Sequence, residues 1–222
     1  MAQEQPRPAE RSPGQARTRL ARAAVVDAAR RLFIERGYGA ATIEAISKAA
    51  DVPPATVYRL FSSKAGILKA LVDASIVGDD EDVPMAARPQ VRSLLDEPDV
   101  RELVAGFVMV AAQVNRRVAP IYGVLVSAAG SDRDAAAVLE QLNRQRQDGQ
   151  RLIARSVAAA SELRPELRER DAADIIHALM SPEVYRLLVI DRRWPTDRYV
   201  RWLTRTVTDQ LLVPAAETQR HD

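Results

Sequence analysis

Apolar residues in the first third of the chain recur at Val25, Ala28, Ala29, Leu32 and Phe33. Spacing of i, i+3, i+4, i+7, i+8 marks one face of a helix, predicted here from about Ala16 to Arg36. Gly37 is well placed to terminate it. Thr42 then suits the N-cap of a short helix with Ile43, Ile46 and Ala49 inward. Ala50-Asp51-Val52 reads as a tight turn. Pro53-Pro54 opens a third short helix, because proline is tolerated in a first turn. Its inward residues are Val57 and Phe61, and Ser62 or Ser63 can cap a fourth helix holding Ile67, Leu68 and Leu71.

Beyond these elements the pattern changes once and then stays helical. Gly78-Asp79-Asp80-Glu81-Asp82, with Pro84 and Pro89 after it, reads as a loop or a frayed helix end. Val100, Leu103, Val104, Phe107, Val108 and Ala111 form one apolar stripe. Pro120 is expected to break into a second apolar helix with Ile121, Tyr122, Leu125 and Val126. A long helix from about Asp132 to Ala160 follows, then a break at Leu163-Arg164-Pro165. Two more helices are predicted, about Asp171–Ile190, kinked at Pro182, and about Thr196–Val213. No run reads as a convincing strand. The predicted fold is all-α: a three-helix helix-turn-helix head on a larger helical body. Residues 1–14 are expected to be a disordered arm, 15–62 the head, and 63–222 the body.

Composition narrows the chemistry. With no cysteine, disulfides, thiolate catalysis and cysteine-based metal sites are excluded. The two histidines, His177 and His221, cannot form a histidine metal cluster. No apolar stretch has the length of a membrane span, since Asn115-Arg116-Arg117 divides the longest, and a cytoplasmic protein is expected. Net charge is +2, but unevenly spread: residues 1–74 hold 12 Lys/Arg against 7 Asp/Glu, and the remainder 20 against 23. A basic head on a mildly acidic body is the footprint of a nucleic-acid-binding module joined to another function. Within the arm and the first helix, Arg11, Arg17 and Arg19 are available to touch DNA.

From Thr42 to Leu60 the chain has helix-turn-helix proportions: two short helices, a tight turn, and apolar positions that lock both to a supporting helix. The small residues Pro54, Ala55 and Thr56 let the second helix approach base edges closely. Hydroxyls of Thr56 and Tyr58 suit phosphates, and Arg59 offers a charged fork for phosphate or guanine. Lys64, at the start of the next helix, adds a cation beside exposed backbone N–H groups.

The spaced set Leu32-Phe33, Gly37-Tyr38, Thr42-Ile43-Glu44-Ala45-Ile46-Ser47, Ala50 through Lys64, and Leu68 resembles the N-terminal DNA-binding domain of TetR-type transcription regulators. The resemblance covers about fifty residues. It implies that Thr42, Tyr58 and Lys64 contact phosphates, and that Pro54, Ala55, Thr56 and Arg59 face the major groove or its rim. Glu44 stands where some members place a base-reading residue. Pro53 replaces a capping serine, and Leu60 replaces a histidine found in many members. Ser181 through Leu188, with Trp194, Tyr199, Trp202 and Leu203, is similar to one subgroup of TetR-type C-terminal domains.

For the body the resemblance implies dimerisation and binding of a small effector. The helices at about 171–190 and 196–213 are the expected homodimer interface, with Tyr199 and Trp202 as anchors. Phe107, Tyr122, Arg146 and His177 are the effector candidates. The expected function is a sequence-specific regulator, a repressor released from a palindromic operator by a small molecule, with no cofactor and no metal. The alternative is a non-specific or architectural DNA-binding protein, which calls for a more basic chain. An enzyme is not expected: no carboxylate is paired with a histidine, a glycine-rich loop or a nucleophile motif.

Overall fold

The computed structural model describes residues 13–78, 88–160 and 162–214. The predicted arm up to residue 12, the acidic run from Asp79, Pro84 and His221 lie outside them. Two compact units are present, divided between Leu71 and Val72, and each is described by itself.

Four helices begin the chain: α1 (Pro13–Ala40), α2 (Ile43–Ala50), α3 (Pro54–Phe61) and α4 (Lys64–Val77), the last crossing the division between the units. Val25, Ala28, Ala29, Leu32 and Phe33 are all buried, so the predicted stripe is the face that α2 and α3 pack on. At Gly37 the helical course of α1 is interrupted, with φ 76° and ψ 164°. Positive φ is open to glycine at little steric cost, so the residue turns the chain where the pattern predicts. The helix also starts earlier than its stripe, at Pro13.

α2 departs from its predicted face in one respect. Ile46 is buried, but Ala49 is exposed and Ser47 is buried in its place. The Ser47 hydroxyl donates to the Val52 carbonyl while Val52 N–H donates to the Ser47 carbonyl at 3.1 Å. A polar side chain therefore sits inside because it closes the turn between the two short helices.

The second unit comprises α5 (Pro89–Leu95), α6 (Val100–Ala129), α7 (Arg133–Ala159), α8 (Glu169–Leu179), α9 (Pro182–Tyr185), a π-helical turn (Arg186–Asp191) and α10 (Thr196–Leu211). α6 packs along α7, α7 against α8, and α10 against both α6 and α8. Val104, Val108, Ala154, Val157, Ile176, Tyr199, Leu203 and Val207 are among the buried residues at its centre. Among the described residues the one β feature is an isolated antiparallel bridge between Leu163 and Leu212.

Pro120 does not break the chain; α6 runs through it. Proline removes one helical N–H and crowds the carbonyl four residues back. Pro120 and Arg116 are both exposed, so water can reach the orphaned carbonyl, while Val118, Ala119, Ile121 and Tyr122 are buried and anchor the helix on either side. Pro182, by contrast, starts a helix rather than kinking one. Ser181 is extended, with φ −76° and ψ 151°, and its hydroxyl accepts from Val184 N–H at 3.2 Å. A residue before proline is pushed out of the α region, and a serine there gains a capping role. Pro89 likewise opens α5 where a loop was expected.

Candidate nucleic-acid interface

Each predicted contact residue of the head has a defined place. Thr42, extended at φ −96° and ψ 159°, caps α2 by accepting from Ala45 N–H at 3.1 Å, so its backbone is fixed at the exposed start of that helix. Glu44 follows in the first turn, exposed. α2 ends on Asp51, which adopts a left-handed conformation at φ 52° and sends its N–H back to Lys48. Aspartate tolerates that region better than most residues, which makes a three-residue turn possible.

α3 then starts on Pro53 with no side-chain cap, as its proline requires. Its first turn leaves Pro54 and Ala55 exposed and Thr56 half-buried. Val57 and Phe61 are buried and anchor the opposite face. Tyr58 is 47% exposed, which is large for an aromatic ring, and Arg59 is exposed beside it. The apolar side of α3 is thus spent on packing, and the side carrying Pro54, Ala55, Tyr58 and Arg59 is presented outward.

Lys64 has a second role that its position in the sequence does not reveal. Its ammonium donates to the Tyr38 carbonyl at 2.8 Å and lies 4.2 Å from the centre of the Tyr38 ring. Lysine has three N–H donors, so two remain for a phosphate. The contact fixes the start of α4 against the segment after Gly37. Ser63 caps that start, its hydroxyl accepting from Gly66 N–H at 3.0 Å.

Arg22 was not foreseen. Its guanidinium donates to the Leu60 carbonyl at 3.4 Å and lies 4.8 Å from the centre of the Phe61 ring. A cation at the carbonyl end of α3 is favourably placed in the field of that helix. Arg22 and Leu60 are 38 residues apart, so no local pattern links them.

Residues 25–71 match the profile of the bacterial regulatory proteins of the tetR family. The head belongs to that family. Over 48 residues the chain is 40% identical to the uncharacterized HTH-type transcriptional regulator YvkB of Bacillus subtilis (strain 168); the match covers 22% of this chain and spans a quarter, 25%, of that protein. Solved structures match over far more of the chain. NalD, the secondary repressor of the MexAB-OprM multidrug efflux pump in Pseudomonas aeruginosa, aligns over 88% of this chain and 98% of its own, with TM-score 0.67 and 19% identity. The fatty acid degradation regulator FadR from Bacillus halodurans aligns over 89% of this chain and 96% of its own, with TM-score 0.63 and 19% identity. At such identities the likeness is one of fold: a helix-turn-helix head followed by a helical body.

In the second unit, three of the four effector candidates converge and one does not. The Arg146 guanidinium lies 6.0 Å from the centre of the Tyr122 ring and 3.5 Å from the His177 carbonyl. His177 Nδ1 is 2.6 Å from Oε1 of Gln150, a buried residue. Burial, and then a hydrogen bond to Glu183, push the Tyr122 hydroxyl up to about 12. Burial, and then the nearby Arg146 charge, hold His177 below its ordinary 6.5. Phe107 is buried in the hydrophobic core of the unit. Fifteen residues separate it from Tyr122 on α6, a rise of ~22 Å at 1.5 Å per residue. Glu183 and Gln150 join the cluster without having been singled out; no sequence periodicity places α9 beside α6. Among the described residues no group of three or more His, Asp and Glu side chains could hold a metal ion, and no helix is long and apolar enough to cross a membrane.

Tyr199, expected at a dimer interface, is fully buried within the chain. Its ring meets Tyr185 edge-on at 5.0 Å and lies 6.1 Å from Trp202. Its periodicity is that of an inward face, and the stripe of α10 serves the chain's own core.

Proposed function

We propose that this chain is a dimeric, sequence-specific transcription regulator, a repressor whose hold on a palindromic operator is released by a small molecule. The observation that carries the reading is the division of α3: Val57 and Phe61 buried, with Pro54, Ala55, Tyr58 and Arg59 outward beside the capped start of α2. Thr42, Tyr58 and Lys64 take phosphates and set the register. Pro54, Ala55, Thr56, Arg59 and Glu44 are left to choose sequence. With few polar groups among them, part of the selectivity rests on DNA shape.

The homodimer forms through the region of about 171–190 and 196–213. Support comes from Leu187 and Ile190, which are 50% and 44% exposed on the π-helical turn, with Ile175, Leu179, Val184, Leu188 and Trp202 only partly buried nearby in sequence. A large apolar side chain left in water on a rigid element marks an association surface. The effector contacts are Tyr122, Arg146 and His177, a cluster of one ring, one cation and one titratable group on three helices. An effector that prefers one of two body conformers shifts operator affinity by a coupling of about 1–3 kcal/mol.

The test is selection of bound fragments from the source genome by the purified chain, followed by gel shift on the recovered sequence. Recovery of one inverted repeat, retained against excess mixed competitor DNA, supports the reading. Equal retention of unrelated fragments identifies an architectural binder instead.

A further inference from the structure

The first turns of α1 have no core to pack on. Its buried stripe begins at Val25, yet the helix begins at Pro13, so about three turns project ahead of the stripe. From Gly14 to Arg22 every residue is exposed except the half-buried Ala16 and Ala21. The segment Pro13–Val26 carries Arg17, Arg19 and Arg22 and no carboxylate. An isolated stretch of this length is a marginal helix in water.

Arg22 fixes where this extension lies. Through its contacts with Leu60 and Phe61, it binds the extension to the carbonyl end of α3. On a helix, Gln15, Thr18, Arg19 and Arg22 fall on one face, at i, i+3, i+4 and i+7. Gln15, Thr18, Arg19 and Arg22 are all exposed along that face. Arg17 falls ~140° around the helix from Arg22 at 100° per residue. Two arginines two residues apart thus differ in one respect: Arg19 is on the face that meets α3, and Arg17 is not.

We infer that the amino-terminal extension of α1 is a second DNA-backbone contact, in which Arg19 takes a phosphate at the rim of the groove that α3 enters. The inference rests on the DNA-binding reading above. α3 spans ~12 Å in eight residues, and the major groove is about 12 Å wide. Arg22 is the cation held at the carbonyl end of α3, and Arg19, one helical turn before it on the same face, is the side chain left outward toward the strand that flanks the groove. Guanidinium suits this role, because its fork matches phosphate oxygens in two bonds. The contact adds affinity and register and carries no base preference.

The experiment measures binding of the full chain to the selected duplex, and to a mixed-sequence 30-bp duplex, from about 50 to 200 mM salt. Three variants are compared: Arg19→Ala, Arg17→Ala, and Arg205→Ala as a surface-charge control in the body. A lost phosphate contact lowers the slope of log affinity against log salt by about 0.9. Arg19→Ala removes one such contact from each of the two heads, so it should lower the slope by about 1.8 on both duplexes and its deficit should shrink ~12-fold across that salt range. Arg17→Ala and Arg205→Ala should keep the parental slope, and thermal unfolding should be unchanged in all three. An unchanged slope in Arg19→Ala, or equal losses in Arg17→Ala and Arg19→Ala, overturns the inference while leaving the DNA-binding reading intact. Failure of the parental chain to bind either duplex overturns both.

Discussion

Lys64 and Tyr58 show why a contact residue has to be weighed by what else it holds. Lys64 both stabilises the turn into α4, through Tyr38, and offers its remaining N–H groups outward. Lys64→Ala should therefore weaken binding to all duplexes, flatten the salt slope by about two units, one for each head of the dimer, and lower the unfolding midpoint of the head. Tyr58→Phe removes a neutral hydroxyl from a half-exposed ring. It should weaken binding evenly across sequences while leaving the slope and the unfolding midpoint in place, which anisotropy titrations at several salt concentrations would resolve. His177 brings a pH dependence to the body. Its neutral form is favoured in the fold, so the unfolded chain takes up a proton first on acidification. Stability should be level above the ordinary value of 6.5 and should fall as the pH drops below it. Denaturant titrations between pH 7.5 and 5 would show this, and His177→Gln should remove that part of the slope. The residue types at these positions are plain in the sequence. The partners Tyr38, Gln150 and Leu60 are not, because each lies a full helix or more away along the chain.

At the level of elements, the strongest periodicities gave the right helices, and the misjudged helix breaks fall at prolines. Pro120 was expected to end a helix and does not, because its exposed side lets water serve the freed carbonyl. Pro182 was expected to bend a helix and instead starts one, because Ser181 caps it. Proline removes one hydrogen bond in every case; whether the helix ends depends on tertiary packing, which a local pattern does not contain. Gly66 is a second example of geometry hidden from pattern. A Cβ there would stand 1.9 Å from the Phe61 carbonyl oxygen, at the last residue of α3. Gly66→Ala should destabilise the head by about 1–3 kcal/mol through that overlap. Chemical denaturation followed by circular dichroism would measure it, and an unchanged midpoint would show that the turn can open without loss.

For the whole molecule, the plan of a basic helix-turn-helix head and a helical body was legible, since it rests on charge distribution and on the spaced set from Leu32 to Leu68. Which apolar faces close the core and which stay open was not legible, because Tyr199 and Leu187 both lie on apolar stripes and only packing separates them. The dimer proposal rests on that difference. Leu187→Asp or Ile190→Asp should leave the chain folded but shift it to monomers at micromolar concentration in sedimentation equilibrium. A body that stays dimeric with both substitutions places the interface elsewhere. The central claim is that two heads read one inverted repeat, and hydroxyl-radical footprinting of the selected duplex tests it most directly. The account predicts two protected half-sites related by a two-fold axis, their centres one helical turn, about 34–36 Å, or a multiple of it apart. Even protection along the duplex, or a single unpaired half-site, would contradict it.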